Sequence, residues 1–362
     1  MKYAPTTLKA VVTSAALVIP LAAQGTFTAI GMPDSRATGI SGEGSIIVGS
    51  YASGGGAWRW SESEGYQDLG GRAPFVAQAS ISRDGKTIVY ADTDSQGFVS
   101  TAIWQGGRNW RTLGGVPEGA GGGYQDRVLS TPYGVSGDGS VIVGLAWLKG
   151  ARSTAFRWDG TTGMVSLPNL RGRSSRANTI SANGWVIAGW DDSLESGDGR
   201  AAVTWWNGLE RLLHPYSLIS EVIASNPDGS VLVGRGHPQN FGHAFRWVSG
   251  TAQTDDLGAL VPPYYNLGRP NTDVSTAFGV TDDGSIVVGT SASPPVEAMV
   301  WTPQTKMVPL AIYLTDRGVQ GDYLKWIVLF EVAVISPDGT VMAGSGINPQ
   351  GFQQAFVVRF GK

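Results

Sequence analysis

One short pattern occurs seven times along this chain and constrains its fold more than any other feature. Each copy reads as a β-branched residue, Ser or Thr, a short spacer, a glycine, an apolar run and then Ala-aromatic-x-Trp or a relative of it. The turn glycines are 41, 54, 45, 45, 55 and 55 residues apart: Gly44, Gly85, Gly139, Gly184, Gly229, Gly284 and Gly339. Repeats of this length with strand-like patterning are typical of a β-propeller, in which each repeat forms one blade.

The third copy shows how one repeat would build a four-stranded antiparallel blade. Residues 134–136 and 140–144 predict two strands joined by an Asp-Gly turn, because such turns need a positive φ. Residues 154–158 and 164–167 predict the third and fourth strands. The apolar run Val141–Val143 fits a strand that neighbouring blades cover on both faces.

The last copy lacks a fourth strand, and the missing piece is found near the start of the chain. Residues 27–31 read as a fourth strand ahead of the first complete copy. We therefore predict an all-β fold: a seven-bladed β-propeller of four-stranded antiparallel blades, closed by an N-terminal strand that completes the last blade. This forms one domain over residues 26–362, with a short helix near Leu310–Arg317 before the last blade.

The first 25 residues have the pattern of a secretory signal peptide. Lys2 and Lys9 precede an apolar stretch over residues 10–23, and small residues follow. That stretch is too short and too interrupted for a stable membrane span. We expect an exported protein that is periplasmic, cell-surface or secreted, with no transmembrane span in the mature chain.

Composition argues against several classes of function. The net charge is −3, and no Lys/Arg cluster stands out beyond Arg171, Arg173 and Arg176, which argues against a nucleic-acid partner because such binding normally needs a basic face. The chain has no cysteine, so disulfides and cysteine-ligated metal centres are excluded. It also lacks a nucleophile elbow, a phosphate loop, a zinc-protease helix and a dinucleotide fingerprint. We expect no cofactor.

The long, irregular segments all fall between second and third strands or between blades. In a propeller these connections share one face, here named the long-loop face; the short glycine-rich hairpins share the other, the hairpin face. Long loops on a rigid scaffold are the usual place for binding and catalysis. The predicted loops are 91–99, 116–131, 145–153, 191–200, 235–242, 261–276 and 311–332.

Two groups of residues in these loops are candidates for chemistry. His237, Arg235 and either Tyr264 or Tyr265 have the side chains of a base, a charge neutraliser and an acid for elimination from a uronate sugar. Asp191, Asp192 and Glu195 form an acidic loop of a kind that hard cations favour, although without EF-hand spacing. Ordinary solvated loops are the alternative for both groups.

Aromatic residues on the same face are candidates for ligand binding. Most of the 13 tryptophans repeat with the blades, which packing between blades explains. Trp147 and Trp190 lie outside that register, where their rings could stack on sugar. Tyr124 and Arg127 are added as neighbouring loop candidates. His243 falls at a strand position and His214 between blades, and both are interpreted as structural.

Several motifs together resemble the bacterial extracellular HAF-repeat family. They are His243-Ala244-Phe245, Ser136-Gly137-Asp138-Gly139 and its equivalents, and a closing segment with Leu-x-x-Tyr-Leu from Leu310 to Leu314, Arg317-Gly318-Val319, Ile335-Ser336-Pro337-Asp338-Gly339 and Asn348-Pro349-x-Gly351. The resemblance implies an exported or cell-surface protein. The Asp-Gly turns also resemble those of TolB-type propellers, but the Ala-aromatic-x-Trp strand favours the first family.

Taken together, these features predict a non-catalytic recognition or structural propeller. We expect a monomer that binds carbohydrate or an envelope or surface protein on its long-loop face. The alternative is an extracellular enzyme that degrades polysaccharide, in the first place a polysaccharide lyase and otherwise a glycoside hydrolase. That alternative depends on analogy between folds, which is a weak guide to function.

Overall fold

The computed structural model contains seven four-stranded antiparallel sheets arranged as a seven-bladed β-propeller. It describes residues 25–72, 77–119, 127–150, 152–170, 172–193, 199–213, 219–251, 253–260, 274–292 and 296–361. The predicted fold class is confirmed. In blades one to six the first strand along the chain is innermost, and the next strands follow outward in sequence order. In blade seven β26 is innermost, and the N-terminal strand β1 takes the outermost position.

Blades are numbered in chain order from the first complete repeat. Blade one is formed by β2 (Ser35–Ile40), β3 (Ile46–Tyr51), β4 (Ala57–Ser61) and β5 (Gly65–Gly70). Blade two is formed by β6 (Ser80–Ile81), β7 (Ile88–Thr93), β8 (Val99–Trp104) and β9 (Trp110–Thr112). Blade three is formed by β10 (Ser130–Val135), β11 (Val141–Trp147), β12 (Ser153–Asp159) and β13 (Gly163–Ser166). Blades four and five are formed by β14 (Ser175–Ile180), β15 (Val186–Ser193), β16 (Gly199–Trp206), β17 (Leu209–Leu212); and β18 (Glu221–Ser225), β19 (Val231–His237), β20 (Asn240–Val248), β21 (Gln253–Asp256). Blades six and seven are formed by β22 (Ser275–Val280), β23 (Val287–Ser291), β24 (Glu297–Thr302), β25 (Lys306–Pro309); and β26 (Val328–Ile335), β27 (Val341–Ile347), β28 (Gln353–Arg359) with β1 (Thr26–Ile30). The described helices are α1 (Leu310–Asp316) and short 3-10 turns at Pro117–Gly119 and Tyr323–Lys325.

The ring is closed by the predicted N-terminal strand. β1 pairs antiparallel with β28, from Thr26 opposite Arg359 to Ile30 opposite Ala355. The segment after α1 then covers the free edge of β1: the Phe27 N–H donates to the Gln320 carbonyl at 2.7 Å, and the Gln320 N–H donates to Gly25 at 2.7 Å. The predicted helix before the last blade is confirmed as α1. The segment that follows α1 covers a strand edge that would otherwise be exposed.

A side-chain oxygen fastens each inner hairpin and explains the Ser/Thr-spacer-Gly pattern. In blade three the Ser136 hydroxyl accepts the Val141 N–H at 3.0 Å and donates to Asp138 at 2.7 Å, while Gly139 has a φ of +76°. The other six blades repeat the first bond with Ser41, Ser82, Ser181, Asn226, Thr281 and Ser336. Hydrogen bonds from the Ser140 N–H and from Ser136 lower the pKa of Asp138 to about 2.

A buried serine at the start of an innermost strand connects neighbouring blades by accepting a backbone N–H. The Ser175 hydroxyl accepts the Ala155 N–H from the third strand of blade three at 2.9 Å. Ser35, Ser220 and Ser275 make the same contact to the alanine of the preceding blade, and Ser130 accepts the Thr101 N–H from the neighbouring position. The aromatic residue after the alanine, such as Phe156, is fully buried between blades.

Candidate functional site at the mouth of the channel

The innermost strands surround a central channel whose long-loop end is lined by charge. Each innermost strand begins at the long-loop face, so the residue just after the interblade serine position lies near that mouth. In four blades this residue is charged: Arg36, Arg176, Glu221 and Glu331. All four line a cavity of about 460 Å³. The same cavity is lined by Tyr51, Tyr90, Tyr133, Asn178 and Phe278.

One pair of charges joins blades seven and one. Arg36 donates to Glu331 through Nε at 3.0 Å and through Nη2 at 2.7 Å, which is a two-bond guanidinium–carboxylate contact. The Glu331 side chain is buried. Burial lowers the pKa of Arg36, but the charge and hydrogen bonds of Glu331 outweigh it and leave that pKa above its usual value.

A larger group of charges joins blades four and five, almost opposite the first pair. Glu221 lies among three guanidinium groups, here named the arginine cluster: Arg176, Arg200 and Arg235. Glu221 Oε2 lies 3.1 Å from Arg176 Nη2 and 3.7 Å from Arg200 Nη1, and Oε1 lies 2.7 Å from Arg235 Nε. The Glu221 carboxylate is therefore shared by three guanidinium groups.

Aromatic rings hold two of these guanidinium groups in place. Arg200 lies over the ring of Trp190 with its Cζ 4.3 Å from the centroid. Arg176 lies between Tyr133 at 4.5 Å and Trp190 at 5.5 Å. Cation–π contacts of this kind orient a guanidinium as well as stabilise it. Burial lowers the pKa of Arg200, Glu221 opposes that shift, and the positive charges of Arg176 and Arg235 reinforce it.

The hairpin end of the channel is built differently, mainly from apolar and small residues. Its cavity is smaller, about 230 Å³, and is lined by residues such as Gly42, Gly137 and Ala182. Backbone hydrogen bonds connect neighbouring hairpins there, for example from the Gly137 N–H to the Ala182 carbonyl at 2.9 Å. Arg83 of blade two and Asp282 of blade six form an ion pair at 3.2 Å across this end.

The structure places Arg235 and His237 in strand β19 and not in a loop, and their side chains contact opposite edges of the blade. Arg235 contacts Glu221 on the innermost strand. The buried imidazole of His237 lies 3.3 Å from the Thr254 carbonyl on the outermost strand. These residues belong to a strand because the pairing of β19 with β20 extends beyond the apolar part of β19, as far as His237 opposite Asn240. Tyr264 and Tyr265 lie outside the described residues, as does His214, so their predicted roles are untested.

The acidic candidates also lie in a strand, and they face opposite ways. Residues paired across antiparallel strands share a face. Asp192 pairs with Arg200, on the face that carries Trp190, whereas Asp191 pairs with Ser175 and Ala201 on the other face. The strand does not bring the two carboxylates together, and Glu195 lies outside the described residues. Within the described ranges, no three His, Cys, Asp or Glu side chains are grouped to hold a metal ion.

The aromatic candidates differ in what their surroundings leave available. Trp190 is buried, and its ring is covered by Arg176 and Arg200, so it orients guanidinium groups and offers no open face for a sugar. Trp147 is half-buried at the end of β11, where it pairs with Ser153. Arg127 is exposed, and Tyr124 lies outside the described part of the chain.

Sequence reasoning missed Arg36, Arg176, Arg200, Glu221 and Glu331. A signal for three of them was present: Ser35, Ser175 and Ser220 occupy the same repeat position, and a charged residue follows each one. A charge at a fixed position of the strand predicted to be innermost points to the channel. The partner of each charge depends on which blades are neighbours, which the local pattern does not provide.

Comparison with known proteins gives the fold and no family. No protein-family model matches the chain, and no curated protein matches it significantly. The propeller domain of the Trilobed protease from Pyrococcus furiosus is similar at a TM-score of 0.52 and 8% identity, covering 92% of this chain and 95% of that one. Hydrazine synthase from Kuenenia stuttgartiensis is similar at a TM-score of 0.51 and 13% identity, covering 91% and 96%.

TolB from Acinetobacter baumannii is a further structure with detectable similarity. The TM-score is 0.47 at 12% identity, over 75% of this chain. The chain spans 61% of that TolB chain. Among the described residues no helix is long and apolar enough to cross a membrane. The likeness to the Trilobed protease propeller and to hydrazine synthase agrees with the β-propeller fold of the chain.

Proposed function

We propose that this protein is an exported recognition propeller that binds a small polar ligand, or the end of a carbohydrate chain, in the cavity at the long-loop mouth of its channel. The observation that carries the proposal is the lining of that cavity, where two Arg–Glu groups lie across from each other with Tyr51, Tyr90 and Tyr133. Ligand sites are commonly cavities of about 300–1,000 Å³ with a few placed polar groups. The size here, about 460 Å³, is within that range.

Two features of the sequence support the remainder of the proposal. The signal-peptide pattern over residues 1–25 supports export, and the resemblance to HAF-repeat proteins supports a periplasmic, surface or secreted location. Fusion of residues 1–25 to a reporter that is active only after export tests this part. Failure of the reporter to reach the periplasm would contradict it.

We do not propose the lyase alternative, because no described geometry favours it. Its candidate base, His237, contacts the outermost strand of blade five, while Arg235 contacts the innermost strand. A base and a charge neutraliser for one sugar ring must reach the same substrate. The recognition proposal requires no such pairing.

Filling the cavity tests the proposal. Gln78 is exposed and lines the cavity, so Gln78→Trp should block it without disturbing the core. Gln105 is exposed on the hairpin face of the same blade and provides the control Gln105→Trp. Calorimetric titration with neutral and acidic oligosaccharides should show binding that Gln78→Trp weakens at least about tenfold, or ~1.4 kcal/mol. Equal binding by both variants would refute the channel as the site.

A further inference from the structure

Counting the residues that the structure describes, the arginine cluster carries more positive charge than its carboxylates neutralise. Arg176, Trp190, Asp192 and Arg200 share one face of blade four, since they occupy paired strand positions. Glu221 and Arg235 are paired on blade five, against that face. Among the described residues the group thus has three guanidinium groups and two carboxylates.

The pair between Arg36 and Glu331 provides an internal comparison. There, two nitrogens of one guanidinium donate to both oxygens of one carboxylate. In the arginine cluster, Glu221 approaches Arg200 only to 3.7 Å, beyond ordinary hydrogen-bond distance, and Arg235 only through Nε. A guanidinium has five N–H donors, so Arg200 and Arg235 retain donors for another acceptor.

These retained donors are accessible and held in place. The side chains of Arg200 and Arg235 are 37% and 41% exposed, whereas that of Glu221 is only 7% exposed. Arg200 packs on the ring of Trp190 at 4.3 Å, and Arg235 Nε lies 2.7 Å from Glu221 Oε1. Guanidinium groups held in this way suit carboxylate or phosphate oxygens, which accept paired N–H bonds.

We propose that the arginine cluster binds the oxyanion of the ligand, a carboxylate or a phosphate on a small polar molecule. This inference rests on the proposed function: of the cluster, Arg176 and Glu221 line the cavity, and Arg200 and Arg235 lie beside it in contact with Glu221, so the oxyanion is assigned to the part of the ligand at that wall. Arg200 and Arg235 contact the oxyanion directly, and Glu221 positions both guanidinium groups. The shared chemistry is the oxyanion, and an acidic sugar and a phosphate are its two sources.

Calorimetry with three probes tests the inference: trigalacturonate, its methyl ester and inorganic phosphate. Trigalacturonate or phosphate should bind at low ionic strength and weaken as salt is added, because exposed charges are screened. The methyl ester should bind at least about tenfold more weakly than trigalacturonate. Binding of phosphate alone would assign the phosphate class, and binding of trigalacturonate alone the carboxylate class.

Variants separate this inference from the proposed function. Arg200→Gln and Arg235→Gln should each weaken anion binding about tenfold or more. Arg72 is an exposed arginine outside the cluster, so Arg72→Gln should leave anion binding unchanged. If the methyl ester binds as tightly as trigalacturonate, and Gln78→Trp weakens this binding while the arginine variants do not, the oxyanion assignment is wrong and the recognition site stands. If Gln78→Trp weakens nothing, both fail. Absence of anion binding to the folded protein overturns the inference.

Discussion

The two ends of the channel are built from the same seven strands by different means. At the hairpin end, hydrogen bonds between equivalent turns repeat from blade to blade, as from Gly42 to Arg83 and from Gly137 to Ala182. At the long-loop end, the side chains differ among blades, and among the described residues that line the channel the Arg–Glu contacts lie between blades seven and one and between blades four and five. Repetition therefore supplies the scaffold, and departures from repetition supply the site.

One blade shows how strictly the hairpin end is maintained. Pro227 occupies a position where Ala182 donates its N–H to the next blade, and proline has no N–H. Asn226 stands where most blades have Ser or Thr, and its Nδ2 donates to the Asp282 carbonyl at 2.9 Å. The side chain thus replaces the missing backbone donor.

Opening the ring should have the largest effect, because both ends depend on closure. Deletion of residues 26–31 from the mature chain removes β1 and the buried side chains of Phe27 and Ile30. We expect a loss of unfolding free energy of at least ~5 kcal/mol, since each large apolar truncation costs several. Thermal and urea denaturation measure it. Thr28→Ser, on the exposed side of β1, is the control; an unchanged melting temperature after deletion would refute closure by β1.

A substitution in one of the repeated turns should have the second-largest effect on the unfolding free energy. Gly139→Val places a β-branched residue at a φ of +76°, with a Cβ only 2.0 Å from Thr87 Oγ1. We expect ~3 kcal/mol of destabilisation from strain and collision. Gly160→Ala, in a hairpin of the same blade with open space around it, should stay within ~0.5 kcal/mol. Equal stability of the two variants in urea would show that the turn tolerates the change.

Removing the shared carboxylate tests the long-loop end. Glu221→Gln leaves three guanidinium groups without their closest anion, and we expect ~2 kcal/mol of destabilisation. Glu331→Gln affects only Arg36 and should cost less. Because the remaining repulsion is between partly exposed charges, added salt should recover part of the loss in the first variant. Urea unfolding at low and high salt measures both effects. A larger loss of unfolding free energy in Glu331→Gln than in Glu221→Gln would contradict the prediction.

The repair by Asn226 predicts a smaller and more specific effect. Asn226→Ser keeps an oxygen to accept the Val231 N–H but loses the bond to Asp282, which should cost ~1 kcal/mol. Adding Pro227→Ala restores the backbone donor and recreates the Ser-Ala pair of Ser181 and Ala182. The double variant should recover the stability that the single variant loses. Failure of this rescue would disprove the interpretation of Asn226 as a substitute donor.

Acid should produce the smallest change at the hairpin end. The pKa of Asp138 is lowered from 3.8 to about 2, so the folded state favours its ionised form. The resulting stabilisation is present above pH 3.8 and is lost as the pH falls towards 2. Asp138→Asn should flatten the dependence of unfolding free energy on pH in this window. Parallel pH curves for the variant and the parent would contradict the shift.

Local features made most of the scaffold predictable. Asp-Gly turns, apolar runs and the unpaired strand at residues 27–31 predicted seven blades, their strand order and closure by β1. The errors occurred where polar residues continue a strand. Arg235–His237 and Asp191–Asp192 were predicted as loops, yet they lie in β19 and β15 because backbone pairing extends past the apolar core.

The sequence by itself determined the repeat, and with it the number of blades, the tight turns and the closing strand, because these depend on backbone conformation and alternation over a few residues. Only the tertiary structure decided which charges meet. Arg36 and Glu331 are separated by 295 positions along the chain, and Arg176 and Glu221 by 45. Their encounter requires ring closure and strand register, so the candidate site belongs to the assembled propeller and to no single repeat.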